Sequence, residues 1–136
     1  RMTNRQAGIG LAQLERIEEI HNNRREYENN YKNLLPPNKF LFQNNIKNRT
    51  RITWLVSVLL NDDIDRDNYI QRLKDKGIDA RTFFYPLSDM DIYKDFCQNE
   101  TPIAHKLSKI GLNLPTYESL INIKDIEIIL KDFVHV

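Results

Sequence analysis

One cysteine, Cys97, stands among 136 residues, so no internal disulfide framework can form. It has no cysteine or histidine neighbour at zinc-ligand spacing, and no metal is expected. No apolar run approaches the roughly 18 residues that span a bilayer, and no membrane association is expected. The opening residues lack the charged, apolar and small-residue order of a signal peptide, which makes the cytoplasm the expected location. Neither charge sign dominates: 20 basic and 19 acidic residues leave a formal charge of +1, with no net field to recruit nucleic acid. Solenoid repeats and low-complexity tracts are absent as well, although Asn and Ile are frequent.

Several local patterns invite a chemical reading and do not sustain it. His21, His105 and His135 are far apart, without a Ser or Cys motif around them, and read as solvated helix positions. Asp62, Asp63 and Asp65 lack the glycine and terminal glutamate of a calcium loop and read as a polar turn feeding a helix. The short basic clusters Arg24-Arg25 and Lys47, Arg49, Arg51 read as solvated faces, with an RNA patch as the lesser alternative. Gly8 and Gly10 sit inside a helical pattern, follow no strand and lack the third glycine of a dinucleotide fingerprint. Each costs roughly 1 kcal/mol of helix propensity relative to alanine, so a close contact against that turn is the expected compensation.

Thr3 and Gln6 have the spacing of a capping box. From there Ala7, Leu11, Leu14, Ile17, Ile20, Tyr27, Tyr31 and Leu34 recur at helical spacing, which predicts one long helix or two joined at a bend, ended by Pro36-Pro37. Roughly thirty residues at 1.5 Å each overreach a domain of this size, so the helix is expected to cross between domains and to self-associate through Ala7, Leu11 and Leu14. Arg1 preceding Met2, and a cap so near the first residue, add the expectation that the chain is the C-terminal part of a larger protein.

Further on, Phe40–Gln43 is a weak strand candidate and Ile52–Leu60 a strong, central one. Asp65 is placed to cap a helix from Arg66 to Lys76, with Tyr69, Ile70 and Leu73 on one face and Gly77 as terminator. Ile78–Phe84 reads as the next strand. A short helix follows Thr101-Pro102 and ends at Gly111, Leu112–Leu114 is extended, and Asn122 opens a last helix. The alternation predicts an α/β or α+β sandwich with a small sheet.

The most informative run is Arg81-Thr82-Phe83-Phe84-Tyr85-Pro86-Leu87-Ser88. Strand alternation sends Phe83 and Tyr85 to one face and Phe84 to the other, so one aromatic face either walls a pocket or packs in a two-faced core.

Taken in order, these segments resemble the C-terminal part of the DegT/StrS family of pyridoxal-phosphate-dependent nucleotide-sugar aminotransferases, in particular its perosamine-synthetase-like members. The resemblance rests on Arg1-Met2-Thr3-Asn4, Gln6-Ala7, Gly10 to Leu14, Trp54-Leu55, Arg66-Asp67, Leu73, Gly77-Ile78, Phe84 to Leu87, Pro102 to Ala104, Leu107-Ser108, Gly111-Leu112 and Leu114-Pro115. It implies that 35–136 is the small C-terminal α/β domain of a fold-type-I enzyme and that the long helical segment 1–34 links it to a missing large domain, with the cofactor lysine upstream. This chain would then supply no catalytic residue, and alone it would be inactive and would not hold pyridoxal phosphate. Arg1 and Asn4 match a motif near the dimer interface that faces the cofactor phosphate. Phe84, Tyr85 and Ser88 match the segment facing the sugar nucleotide. Thr82 stands where proline is common, Ser88 where many members have histidine, and Gly8 where alanine is frequent. The resemblance also implies a homodimeric parent enzyme, glutamate as amino donor and a 4-keto sugar nucleotide as acceptor. A dehydratase variant of the family and a free-standing protein- or RNA-binding α+β module are the alternatives.

Overall fold

A computed structural model describes residues 1–97, 99–116, 127, 128 and 131. The capping box forms in full: Gln6 N–H donates to Thr3 Oγ1, and Thr3 N–H donates to Gln6 Oε1 at 2.9 Å. Helix α1 runs Asn4–Glu15 and α2 runs Ile17–Leu34, with the bend at Arg16. Among the described residues, four strands follow, β1 Phe40–Phe42, β2 Val56–Leu60, β3 Arg81–Thr82 and β4 Gly111–Leu114. Helix α3 (Arg66–Asp75) lies between β2 and β3 in sequence, and α4 (Pro102–Ile110) leads directly into β4. Asp65 caps α3 by accepting from Asp67 N–H and Asn68 N–H, and Gly77 after its end takes φ +81°, a conformation that favours glycine.

The sheet is antiparallel throughout, in the order β1-β2-β4-β3, which realises the α+β form of the expectation. Phe40 pairs with Leu60, Phe42 with Val58, Val56 with Leu114, and Val58 with Leu112. Directly opposed residues share a face, so these side chains form one apolar layer. Tyr31 of α2, Leu35, and Tyr69 and Leu73 of α3 cover it, and Phe40 meets Tyr69 edge-on at 6.4 Å. Burying each large apolar side chain contributes about 1.5–3 kcal/mol, so this face is the main source of stability.

The opposite face is thinner. Phe83 lies across Gly111, where an added Cβ would stand 2.2 Å from the Phe83 ring and 2.6 Å from the Leu107 carbonyl oxygen. Glycine is therefore required there for close approach rather than for backbone conformation. A groove of about 490 Å³, lined by Leu41, Ser57, Leu59, Phe83 and Leu107 among others, remains open on this side.

Three expectations change. Regular pairing in the Ile52–Leu60 segment starts only at Val56, and the Ile78–Phe84 strand contracts to Arg81–Thr82. Ahead of Val56 the chain is held by side-chain bonds to the Trp54 carbonyl, whereas Ile78 and Phe83 are held by backbone bonds to the Leu73 and Gly111 carbonyls. The run after Pro86, to which no helix was assigned, forms two 3-10 segments at Leu87–Asp89 and Asp91–Phe96. The helix expected from Asn122 lies outside the described residues apart from 127, 128 and 131. Gly8 and Gly10 have nothing within 4 Å of an added Cβ, so their expected close contact is not made among the described residues. Helix α2 contributes Glu28 and Tyr31 to the buried interior, whereas α1 has no buried residue. No described helix is long and apolar enough to cross a membrane.

Candidate functional site

The segment from Arg51 to Leu55 precedes the paired part of β2 and is secured by α2. Glu28, 4% exposed, receives the Thr53 hydroxyl at 2.8 Å and the ammonium of Lys32 at 2.6 Å, and also pairs with the Arg51 guanidinium. A carboxylate this buried would be costly alone, and its three donors compensate it. Arg24 donates to the Trp54 carbonyl at 3.0 Å, and the Thr116 hydroxyl donates to the same oxygen at 3.1 Å. The Tyr31 hydroxyl donates to the Pro115 carbonyl at 3.1 Å, tying α2 to the chain beyond β4.

This bracing leaves the Trp54 side chain 63% exposed beside Phe84, which is 77% exposed. Both aromatics line a recess of about 450 Å³ together with Arg51, Thr53, Phe83 and Asn113. Asn113 is nearly buried among strand leucines. Its Oδ1 accepts the Ser57 hydroxyl at 2.7 Å and its Nδ2 donates to the Thr82 carbonyl at 3.1 Å, so the amide orientation is set from both ends. An aromatic wall above fixed polar groups suits a ligand that is part ring and part hydroxyl.

The expected site residues separate in space. Phe84 lines the recess. Tyr85 is 70% exposed and lines neither this recess nor the open groove of the sheet. Ser88 belongs to a polar cluster at the start of α4: its hydroxyl lies 2.9 Å from Thr101 Oγ1, and His105 Nδ1 lies 3.2 Å from that oxygen. The ring of His105 also has Nδ1 2.7 Å from the Thr101 carbonyl oxygen and Nε2 2.5 Å from Asp89 Oδ1. The backbone carbonyl of Thr101 first, and the Asp89 carboxylate second, hold the His105 pKa above the ordinary histidine value, with Lys109 opposing. His105 is thus a partnered residue rather than a merely solvated one. Arg1 and Asn4 stand in the open at the start of α1.

Trp54, Thr53, Arg51 and Asn113 were not singled out as site residues from the sequence. Trp54 falls in the segment expected to be a central strand, and regular pairing does not reach it. A lone asparagine between strand leucines was the signal available for Asn113.

The described residues do not by themselves fit pyridoxal phosphate. No described lysine is buried, and Lys32, which lines a recess beside α2, is paired with Glu28. Arg1 and Asn4 face no enclosing wall in this chain. Among the described residues there is no group of three or more His, Cys, Asp or Glu able to hold a metal.

Residues 1–132 match the DegT/DnrJ/EryC1/StrS aminotransferase family, and the chain belongs to that family. It is 36% identical over 90% of its length to the GDP-perosamine synthase of Escherichia coli O157:H7 and 30% identical over 88% to that of Vibrio cholerae. It spans 33% and 34% of those proteins, about a third of their length. Among solved structures it superposes on Helicobacter pylori PseC, an aminotransferase involved in the biosynthesis of pseudoaminic acid. That match has a TM-score of 0.85 at 18% identity, over 100% of this chain and 38% of that one. A likeness at that identity establishes the fold alone.

Proposed function

We propose that this chain is the sugar-facing small domain of a pyridoxal-phosphate-dependent aminotransferase that converts a nucleotide-linked 4-keto-6-deoxy sugar to the 4-amino sugar, with glutamate as donor and a homodimer as working unit. The observation that carries the reading is the 36% identity, over 90% of this chain, to a protein named for making GDP-perosamine. The exposed stripe on α1 supports a larger assembly, since Ile9, Leu11 and Leu14 are 57–69% exposed within this chain. When bound, the cofactor supplies the electron sink for moving an amino group, and the protein supplies binding and orientation. No residue of this chain is assigned to the proton-transfer chemistry.

In this reading Phe84, with Trp54 beside it, forms an apolar wall for the sugar nucleotide. Tyr85, which lies outside the recess that Phe84 and Trp54 line, is assigned a further contact with the sugar nucleotide, and Ser88 offers a hydroxyl held by Thr101. Arg1 and Asn4 are assigned to the cofactor side across the subunit boundary, where the partner would complete their surroundings.

The test is to express the protein that carries this chain and supply GDP- and dTDP-linked 4-keto-6-deoxy sugars with glutamate. Formation of an amino sugar supports the reading, and its absence with both nucleotides rejects it. Tyr85→Ala should then lower the sugar half-reaction by about three- to tenfold, the kinetic equivalent of one aromatic contact, and spare the donor half-reaction. Its exposure means the thermal midpoint should hold, separating this effect from lost packing. Equal losses in both half-reactions would reject that contact.

A further inference from the structure

The two basic clusters that the sequence presents as separate solvated runs meet in the fold. Arg25 of α2 and Arg49 and Arg51 of the loop between β1 and β2 line one recess of about 370 Å³, with Lys32, Asn29, Asn45 and Thr50 around them. Four cationic side chains face a single carboxylate, Glu28, which is already engaged by Lys32, Arg51 and Thr53. Among the described residues the side chains of Arg25 and Arg49 have no hydrogen-bond or ion-pair partner. Every residue lining the recess is polar or charged. Guanidinium groups converging beside neutral hydrogen-bond donors match the oxygens of a phosphoryl group, which Arg binds in bidentate fashion.

We infer that this recess is a binding site for a phosphate or diphosphate group, with Arg25 and Arg49 as its primary contacts and Arg51, fixed by Glu28, as its floor. The phosphoryl group can come from a free anion or from a nucleotide. The recess shares Arg51 and Thr53 with the aromatic recess of Trp54 and Phe84, so a nucleotide bound at the first has a surface for its remaining parts in the second. The inference goes beyond the proposed reaction, because an anion would bind here whether or not the protein aminates sugars.

The test is calorimetry on the full chain with inorganic pyrophosphate, GDP and guanosine at low salt. Pyrophosphate is expected to bind and guanosine not to bind by the same contacts. Tighter binding of GDP than of pyrophosphate identifies the nucleotide as the source, and equal binding identifies the free anion. Arg25→Gln and Arg49→Gln should each weaken pyrophosphate about tenfold, the loss of one charge-assisted contact. Both positions are exposed, so their thermal midpoints should match the parent and confirm folding. Lys74→Gln, on α3 and outside the recess, should change nothing. Absence of pyrophosphate binding overturns the inference, as does binding that Arg25→Gln and Arg49→Gln leave intact or that Lys74→Gln weakens equally. None of these readouts depends on aminotransferase activity, so failure here leaves the proposed function standing and failure of that function leaves this site standing.

Discussion

Helices α1 and α2 belong to one periodic stretch of sequence and meet opposite fates. In α2, Tyr31 is 1% exposed against the sheet, and Glu28 is buried inside a network of three donors. In α1, Ile9, Leu11 and Leu14 are more than half exposed and nothing is buried. Both helices have apolar residues at helical spacing, so periodicity states a demand for a partner without supplying one. The partner of α2 is the sheet of this chain. No partner for α1 lies within the described residues, and its surface is where the proposed homodimer would place a second body.

The largest expected effect breaks the comparison at its buried end. Leu73→Ala, at a fully enclosed position facing the same core as Tyr31, should cost about 2–5 kcal/mol. Leu11→Ala in α1 should stay within about 0.5 kcal/mol in the isolated chain. Denaturant melts of the two variants measure the difference, and similar losses would mean that α1 is packed as tightly as the core that α2 covers.

Next in size is Glu28→Ala, which leaves Arg51, Lys32 and the Thr53 hydroxyl without their common acceptor. A loss of about 2–3 kcal/mol is expected, short of a fully buried pair because Arg51 and Lys32 retain side-chain exposures of 27% and 30%. Chemical denaturation checks it, and a near-neutral variant would remove the network as the brace for residues 51–55.

The exposed end is sharpened by association. The isolated chain should dimerise or form larger species through Ala7, Leu11 and Leu14, and the paired change Leu11→Glu with Leu14→Glu should return it to monomer. Sedimentation velocity distinguishes the two, and a parent chain that is monomeric at high concentration contradicts the docking role of α1.

The smallest effect concerns the exposed cluster at α4. Both ring nitrogens of His105 face oxygen acceptors, Thr101 O and Asp89 Oδ1, and both bonds are served only by the protonated ring. Because the folded pKa is raised, the stabilisation is complete below the ordinary histidine pKa and is lost as pH rises through the raised value. Solvent screening keeps the effect small. NMR titration should show the His105 pKa falling toward the ordinary value in Asp89→Asn, and an unchanged pKa would remove Asp89 from the cluster's electrostatics.

Much of the fold is legible locally. The Thr3–Gln6 box, the Asp65 cap and the Gly77 terminator are satisfied within a few residues along the chain, and each stands where the sequence places it. The α4 helix from Pro102 and the extended piece at Leu112–Leu114 were equally readable. The aromatic run departs from the expected alternation, because the strand ends at Thr82 and both Phe83 and Phe84 line one recess while Tyr85 does not. The site was less legible because its parts come from distant segments. Trp54 is exposed through bonds from Arg24 and Thr116, and Asn113 is oriented by Ser57 and Thr82; none of these partners is a sequence neighbour.

The sequence by itself determined where α1, α3 and α4 begin, which residues seek a core and which family the chain resembles, because caps, periodicity and ordered motifs act over short separations. Only the tertiary structure decided that the sheet is antiparallel with β4 between β2 and β3, and that Arg25 meets Arg49 in one recess. It also decided that Tyr31 is covered and Leu11 is not. Strand order, convergence of charge and burial depend on contacts between residues far apart in the chain, and periodicity along the chain contains no record of what comes to lie opposite.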